Sequence, residues 1–308
     1  MIIDFHTHVH TPEDAAKPFW KGRCPLTIEN ALSAMDGAGI DMTVISNPLH
    51  ELRDMTRPEQ RKTVRGQNKF LAEQVAKQPK RFAALASAVP SGGDEFLKDL
   101  EEAVQDGLRG AIITASLQGA YPDDDSARPF FKLVTDLDIP VFIHPPSVGF
   151  GEERMKEYRL ASSVGRPFDN CLAISRLIVR GIFEDFPTLK LVGSHVGGGI
   201  CEIIGRMDYA YELQDEAYFL GSYAPMRIKK KPSEYLKMMY LDSVSYHAPA
   251  ARCAMETVGV DHFLFGTDAP PLTVLKPRGL KLIDELGLAP ADKAKVLAGN
   301  AKRLLKLN

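Results

Sequence analysis

A (β/α)8 barrel is the fold this chain predicts, and three observations carry the prediction. Short β-rich apolar runs alternate with longer amphipathic stretches through eight successive units. No G-x-G-x-x-G follows the first strand, as an open doubly wound sheet would lead one to expect, and the glycine run Gly197-Gly198-Gly199 comes only after the sixth. The longest irregular stretches, 11–26, 145–169 and 217–232, follow strands one, five and six, so all of them fall on the face formed by strand C-termini. The expected organisation is a single barrel domain over 1–308.

The first strand, 2–5, is set by Ile2, Ile3 and Phe5. His6 and His8 follow it two apart, so on a continued strand both imidazoles project from one face. Two nitrogens held that close suit one divalent metal. The plain alternative is a pair of histidines at a frayed terminus with nothing bound. Helix 28–38 begins after Thr27, with Asn30 three residues on as a partial capping pattern, and Gly39 ends it as a left-handed cap. Strand 42–46, helix 58–77, strand 82–87, helix 94–106, strand 110–113 and helix 127–137 continue the alternation. Pro140 opens the strand at 141–143, where a missing N–H is tolerated. Helix 172–183 stops before Pro187, and strand 189–193, helix 200–212, strand 239–242, helix 249–258, strand 263–265 and helix 273–286 complete the barrel. A last helix, 290–305, closes the chain.

Composition excludes several function classes. The chain is 44% apolar and 25% charged with a formal charge of −2, and its longest like-charge run is Lys229-Lys230-Lys231, read as a solvated loop. That leaves no electrostatic footprint for nucleic acid or an anionic membrane. No apolar run reaches the ~18 residues of a membrane span, and no secretory signal is seen. Cys24, Cys171, Cys201 and Cys253 form no C-x-x-C and read as reduced thiols of a cytoplasmic protein.

Barrels of this kind place their chemistry at strand C-termini. Strand 141–143 ends in His144-Pro145-Pro146, strand 189–193 in Ser194-His195, and strand 263–265 in Gly266-Thr267-Asp268. With His6 and His8, four strand ends aim His or Asp at one mouth. Any one of these alone reads as a hydrogen-bonded strand end; together they read as a metal site.

Four segments carry a family resemblance: Asp4-Phe5-His6-Thr7-His8, Phe142-Ile143-His144-Pro145, Leu191-Val192-Gly193-Ser194-His195-Val196-Gly197-Gly198, and Phe265-Gly266-Thr267-Asp268-Ala269-Pro270. Through them, and over nearly its whole length, the chain resembles the amidohydrolase superfamily. With Phe183-Glu184-Asp185-Phe186-Pro187-Thr188-Leu189-Lys190 added, it is similar to the branch holding α-amino-β-carboxymuconate-ε-semialdehyde decarboxylase and γ-resorcylate decarboxylase. The resemblance implies that His6, His8, His144 and Asp268 hold one divalent metal and that His195 is a catalytic acid/base, with Asp268 a proton shuttle on one of two routes to carbon dioxide loss. Binuclear relatives bring a carboxylated lysine from the fourth strand; here 109–115 has none, which favours a single metal. Zinc suits three imidazoles and a carboxylate, and manganese serves some members of the branch.

The resemblance also implies a homodimer in which Arg206 reaches a neighbouring subunit's substrate carboxylate. The alternative for Arg206 is a surface arginine paired with Asp208 or Glu202. Arg23 is a second candidate for a carboxylate, His247 and His10 are candidates to line the pocket, and Trp20 with Phe19 could roof an aromatic or dienoic substrate. His50 and His262 read as structural or solvated. The loop at 11–26 is much shorter than that of the carboxymuconate-semialdehyde decarboxylase, so that particular substrate does not carry over. The expected function is therefore a metal-dependent, non-oxidative decarboxylase of a small aromatic or muconate-like acid. A hydrolase or hydratase using the same site, and a barrel that only binds metabolites, are the rival readings.

Overall fold

The computed structural model describes residues 1–18, 27–146, 150–216, 224–269 and 275–307. Its strands are β1 (Ile3–His8), β2 (Met42–Ser46), β3 (Phe82–Ala84), β4 (Ala86–Ser87), β5 (Ala111–Thr114), β6 (Pro140–His144), β7 (Lys190–Gly193), β8 (Tyr240–Asp242) and β9 (Phe263–Leu264). Neighbours pair in parallel and in chain order, as β1-β2-β3 and β4 through β9. β3 and β4 are halves of the one strand expected at 82–87. Leu85 N donates to Ile45 O at 3.1 Å, while Ala86 N donates to Gly110 O at 2.8 Å, so the strand changes partner within one residue. At the other edge Phe5 N donates to Phe265 O at 2.9 Å and Asp268 N to His6 O at 2.8 Å. These bonds tie the last strand to the first, and the parallel staves form the expected (β/α)8 barrel.

Side-chain alternation sorts the core into two layers. Ile3, Phe5, Val44, Leu85, Ile112, Phe142, Val192 and Leu264 pack inside the barrel, where Ala301, Leu304 and Leu305 of the last helix plug its base. Ile45, Ile113, Val141, Ile143, Leu191 and Phe263 face outward onto the helices. β1 departs from strict alternation. Its register shifts between Asp4 and Thr7, and this irregularity lets His6 and His8 face the barrel axis although Ile3 and Phe5, of opposite parity, do so too. β1 also runs past the expected 2–5 to His8, so both histidines are buried strand residues and not a frayed end.

Helix Ile28–Ala38 has the expected bounds. Thr27 Oγ1 accepts from Asn30 N at 3.2 Å, and Gly39 takes φ 68°. The helix expected at 172–183 is instead Arg166–Val179 followed by a turn at Ile182–Asp185, broken where Gly181 takes φ 76°. It starts earlier than expected because a π-helical turn, Ala161–Gly165, leads the chain into it from a stretch read as irregular. The closing helix likewise contains a π turn, Lys295–Gly299, between Pro290–Ala294 and Asn300–Leu305. Among the described residues Cys171, Cys201 and Cys253 are free thiols, and Cys24 lies outside them. No described helix is long and apolar enough to cross a membrane.

Candidate metal centre at the mouth of the barrel

The ends of β1 and β6 and the segment after β9 converge. His6, His8, His144 and Asp268 each offer one donor atom, and these atoms lie within 4.8 Å of one another. His6 Nε2 and His8 Nε2 are 3.0 Å apart, and His8 Nε2 and His144 Nε2 3.1 Å. Asp268 Oδ1 is 3.3 Å from both His6 Nε2 and His8 Nε2. Imidazole nitrogens aimed at one another across such gaps are in poor hydrogen-bonding circumstances, because two lone pairs meet unless a proton or a cation stands between them.

The opposite ring nitrogens are all occupied. His6 Nδ1 donates to Asp242 Oδ2 at 2.6 Å, His144 Nδ1 to the carbonyl of Pro145 at 2.8 Å, and His8 Nδ1 lies 3.3 Å from Ser46 Oγ. Partners on Nδ1 turn each Nε2 lone pair inward, which is the arrangement a metal-binding imidazole needs. Burial lowers the pKa of His8 and takes that of His144 well below its ordinary value. Asp268 is held well below the carboxylate range: burial opposes this, but the His6 charge and hydrogen bonds from His6 and His8 prevail. His6 runs the other way. Burial would depress it, yet Asp268 and Asp242 on either side raise it to about 10. The cluster thus calls for a positive charge between its carboxylate and imidazoles, and a divalent cation satisfies that call. Asp268 keeps 30% of its side-chain surface exposed, so the cluster opens on the mouth.

His195 stands beside this set. Its ring centroid is 5.2 Å from that of His6 and 5.5 Å from that of His144. Burial lowers its pKa, which favours the neutral, proton-accepting imidazole. Both His195 and Asp268 take φ 53°, a left-handed conformation uncommon outside glycine. For His195 it begins a run through Val196, Gly197 and Gly198 that turns the chain sharply off β7.

Asp242 was not picked out by sequence, although it ends a strand as the other site residues do. It is fully buried; its Oδ2 holds His6, and its Oδ1 accepts from Val244 N at 3.1 Å and Val196 N at 3.4 Å. One carboxylate therefore orients a cluster histidine and steadies the turn that carries His195. Asp242→Ala is expected to weaken metal binding by about 10–100-fold, read by competition with a chromophoric chelator. Unchanged affinity would remove Asp242 from the site.

The remaining candidates fall in different places. Arg206 is exposed on the helix Ile200–Glu212 and pairs with neither Asp208 nor Glu202; Asp208 Oδ1 accepts from Ser233 N instead. His247 is the exposed N-cap residue of the helix Ala248–Val258 and does not join the cluster. His10 is buried, its Nδ1 2.7 Å from Asn47 Nδ2, and burial pushes its pKa down to about 4. Arg23, Trp20 and Phe19 lie outside the described residues. The reading of His262 as structural agrees with its ring, 4.4 Å from that of Tyr240. His50, read as structural or solvated, is partly buried with its ring 5.8 Å from that of His144, because Leu49 in the left-handed conformation turns the chain after β2 toward the mouth.

A family model described as amidohydrolase matches residues 3–307. The 2-amino-3-carboxymuconate-6-semialdehyde decarboxylase of Dictyostelium discoideum is 31% identical over 244 residues, covering 78% of this chain and 66% of that protein. The match thus spans about two thirds of that relative. The γ-resorcylate decarboxylase of Polaromonas sp. (strain JS666) is 27% identical over 289 residues, covering 89% of this chain and 86% of the relative. A solved 5-carboxyvanillate decarboxylase from Novosphingobium aromaticivorans, complexed with manganese and 4-hydroxy-3-methoxy-5-nitrobenzoic acid, superposes with a TM-score of 0.87 at 22% identity, over 100% of this chain and 96% of that one. At that identity the likeness speaks for the fold.

Proposed function

The chain belongs to the amidohydrolase family, and from that premise we propose that it is a metal-dependent, non-oxidative decarboxylase of a small aromatic or muconate-like carboxylic acid. The observation that carries the proposal is the convergence of His6, His8, His144 and Asp268 with His195 alongside. The decarboxylases among its relatives favour this reading over hydrolysis at the same site.

His6, His8, His144 and Asp268 would hold the divalent cation. Zinc suits this donor set, and manganese is the ion named with a structural neighbour. When bound, the cation supplies Lewis acidity toward substrate oxygens. The chain's own residues do the rest. Departure of carbon dioxide leaves the electrons of the broken C–C bond on the substrate, so a proton must reach that carbon. His195, neutral through burial, and Asp268, partly open to the mouth, are the groups placed to hold and pass it.

The test is carbon dioxide release from hydroxybenzoates, aminobenzoates and unsaturated dicarboxylates by protein reloaded with zinc or manganese, with chelated protein as control. Release that needs the metal is the expected result. No release from any of these acids would overturn the proposal.

A homodimer with Arg206 reaching the partner's substrate belongs to the same proposal. Ile203 and Tyr209, one turn either side of Arg206, are 43% and 42% exposed, an apolar setting that suits a helix face covered by another subunit. Mixing Arg206→Ala with His195→Ala protein should then restore about half of the activity per mixed dimer, or about a quarter in a fully exchanged equimolar mixture, since one composite site of the two is intact. No recovery on mixing would leave Arg206 acting within its own chain or not at all.

A further inference from the structure

We propose that Arg166, with His50 beside it, forms the subsite that takes an anionic group, a carboxylate, of the substrate at the rim of the donor cluster. The proposal rests on the reading that the substrate is a carboxylic acid, and it names the residues that select for that charge.

Arg166 opens the helix Arg166–Val179, on the connection that follows His144. Two contacts fix this first turn against the segment bearing His195. Asn170, four residues on and so on the same helix face, donates through Nδ2 to Ser194 Oγ at 2.6 Å and to Ser194 O at 3.2 Å. Ser194 immediately precedes His195. Next to Arg166, the carbonyl of Pro167 packs so tightly against Gly198 that a Cβ there would lie 1.9 Å from it. The helix start is therefore clamped to the glycine turn behind His195, with Arg166 a turn above Asn170 at the mouth. The electrostatics agree with that placement: burial lowers the pKa of Arg166 against the opposing pull of the Asp268 carboxylate, and burial, then the Arg166 charge, depresses His50.

His50 supplies the second half. It approaches His144 from the loop after β2, and its Nδ1 is buried without a hydrogen-bond partner. A buried polar atom left unmatched beside a donor cluster costs stability unless a ligand completes it. A carboxylate does so while meeting the guanidinium, whose planar fork matches carboxylate geometry. The cluster with its cation and the arginine would then hold opposite ends of one small acid.

The probes are salicylate and its uncharged counterpart salicylamide, titrated calorimetrically into metal-loaded wild type, Arg166→Gln, Arg166→Lys and His50→Phe, with metal content measured on each. Wild type should bind the acid more tightly than the amide. Arg166→Gln should weaken salicylate by about tenfold or more while leaving salicylamide within about twofold. Arg166→Lys should recover part of the loss, and His50→Phe should weaken salicylate at unchanged metal content. Equal loss on both probes, no loss on salicylate, or a wild type blind to the charge would each overturn the subsite. Carbon dioxide release separates the two proposals. Charge-selective binding through Arg166 without release from any acid defeats the decarboxylase and leaves the subsite standing. Release with binding indifferent to Arg166→Gln does the reverse.

Discussion

His195→Ala protein should keep its metal and lose about 10²–10⁴-fold in kcat, the usual worth of a positioned acid/base. The two halves of that expectation come from different observations. His195 lies outside the set whose donor atoms converge, so removing its ring leaves His6, His8, His144 and Asp268 intact. Yet it is packed within ring-contact distance of His6 and His144, close enough to exchange a proton with a substrate held between them. Metal content and single-turnover carbon dioxide release on the same sample check both halves. Loss of the metal would make His195 a ligand and leave the acid/base role to Asp268. Retained turnover would remove His195 from the chemistry. His8→Ala supplies the contrast: it takes away the donor nearest to the other three and should empty the site.

The largest expected effect on stability comes from below the cluster. Lys276 and Asp4 are both fully buried, and Lys276 Nζ lies 2.6 Å from Asp4 Oδ2. Lys276 also donates to Thr7 Oγ1 at 3.2 Å and Thr267 Oγ1 at 3.4 Å. Asp4 accepts in addition from His6 N at 3.1 Å and Thr267 N at 3.0 Å, so one carboxylate ties the backbone before His6 and His8 to the backbone before Asp268. Lys276→Met leaves that carboxylate charged and uncompensated, and should cost about 3–5 kcal/mol in chemical denaturation. Metal affinity should fall with it, because the spacing of β1 and Asp268 depends on the pair. Adding Asp4→Leu should recover part of the stability but not the affinity, since the charge is gone and the tie remains broken. A loss under about 1 kcal/mol would mean that water reaches the pair, and full recovery of affinity in the double variant would mean that Asp4 positions nothing.

Much of the site was legible in the sequence because its information is local. A strand's alternation and its end are readable from the residues on either side, so His6, His8, His144, His195 and Asp268 could be assigned to one mouth once the strands were placed. Helix Ile28–Ala38 was legible for the same reason: Thr27 and Gly39 act within one turn of themselves. Misplaced boundaries have local causes of another kind. The helix Arg166–Val179 grows out of a π turn that has no apolar period of its own, and Gly181, which divides the expected helix, looks like any tolerated glycine until its positive φ is seen.

The sequence by itself pointed to the barrel and to the five polar residues at its mouth, since apolar periodicity and strand-end position are properties of short segments; the division of those five into a donor set and His195 came from the family resemblance. Tertiary structure alone decided what those donors rest on. Lys276 sits in a helix where a lysine ordinarily reads as solvated, and its partner Asp4 is 272 residues away. Asp242 meets His6 across 236 residues, and His50 and Arg166 come from helical segments on the connections after different strands. The reason is physical. Burial and pairing are set by which segments the closed ring brings together, and no residue carries that information in its neighbours along the chain.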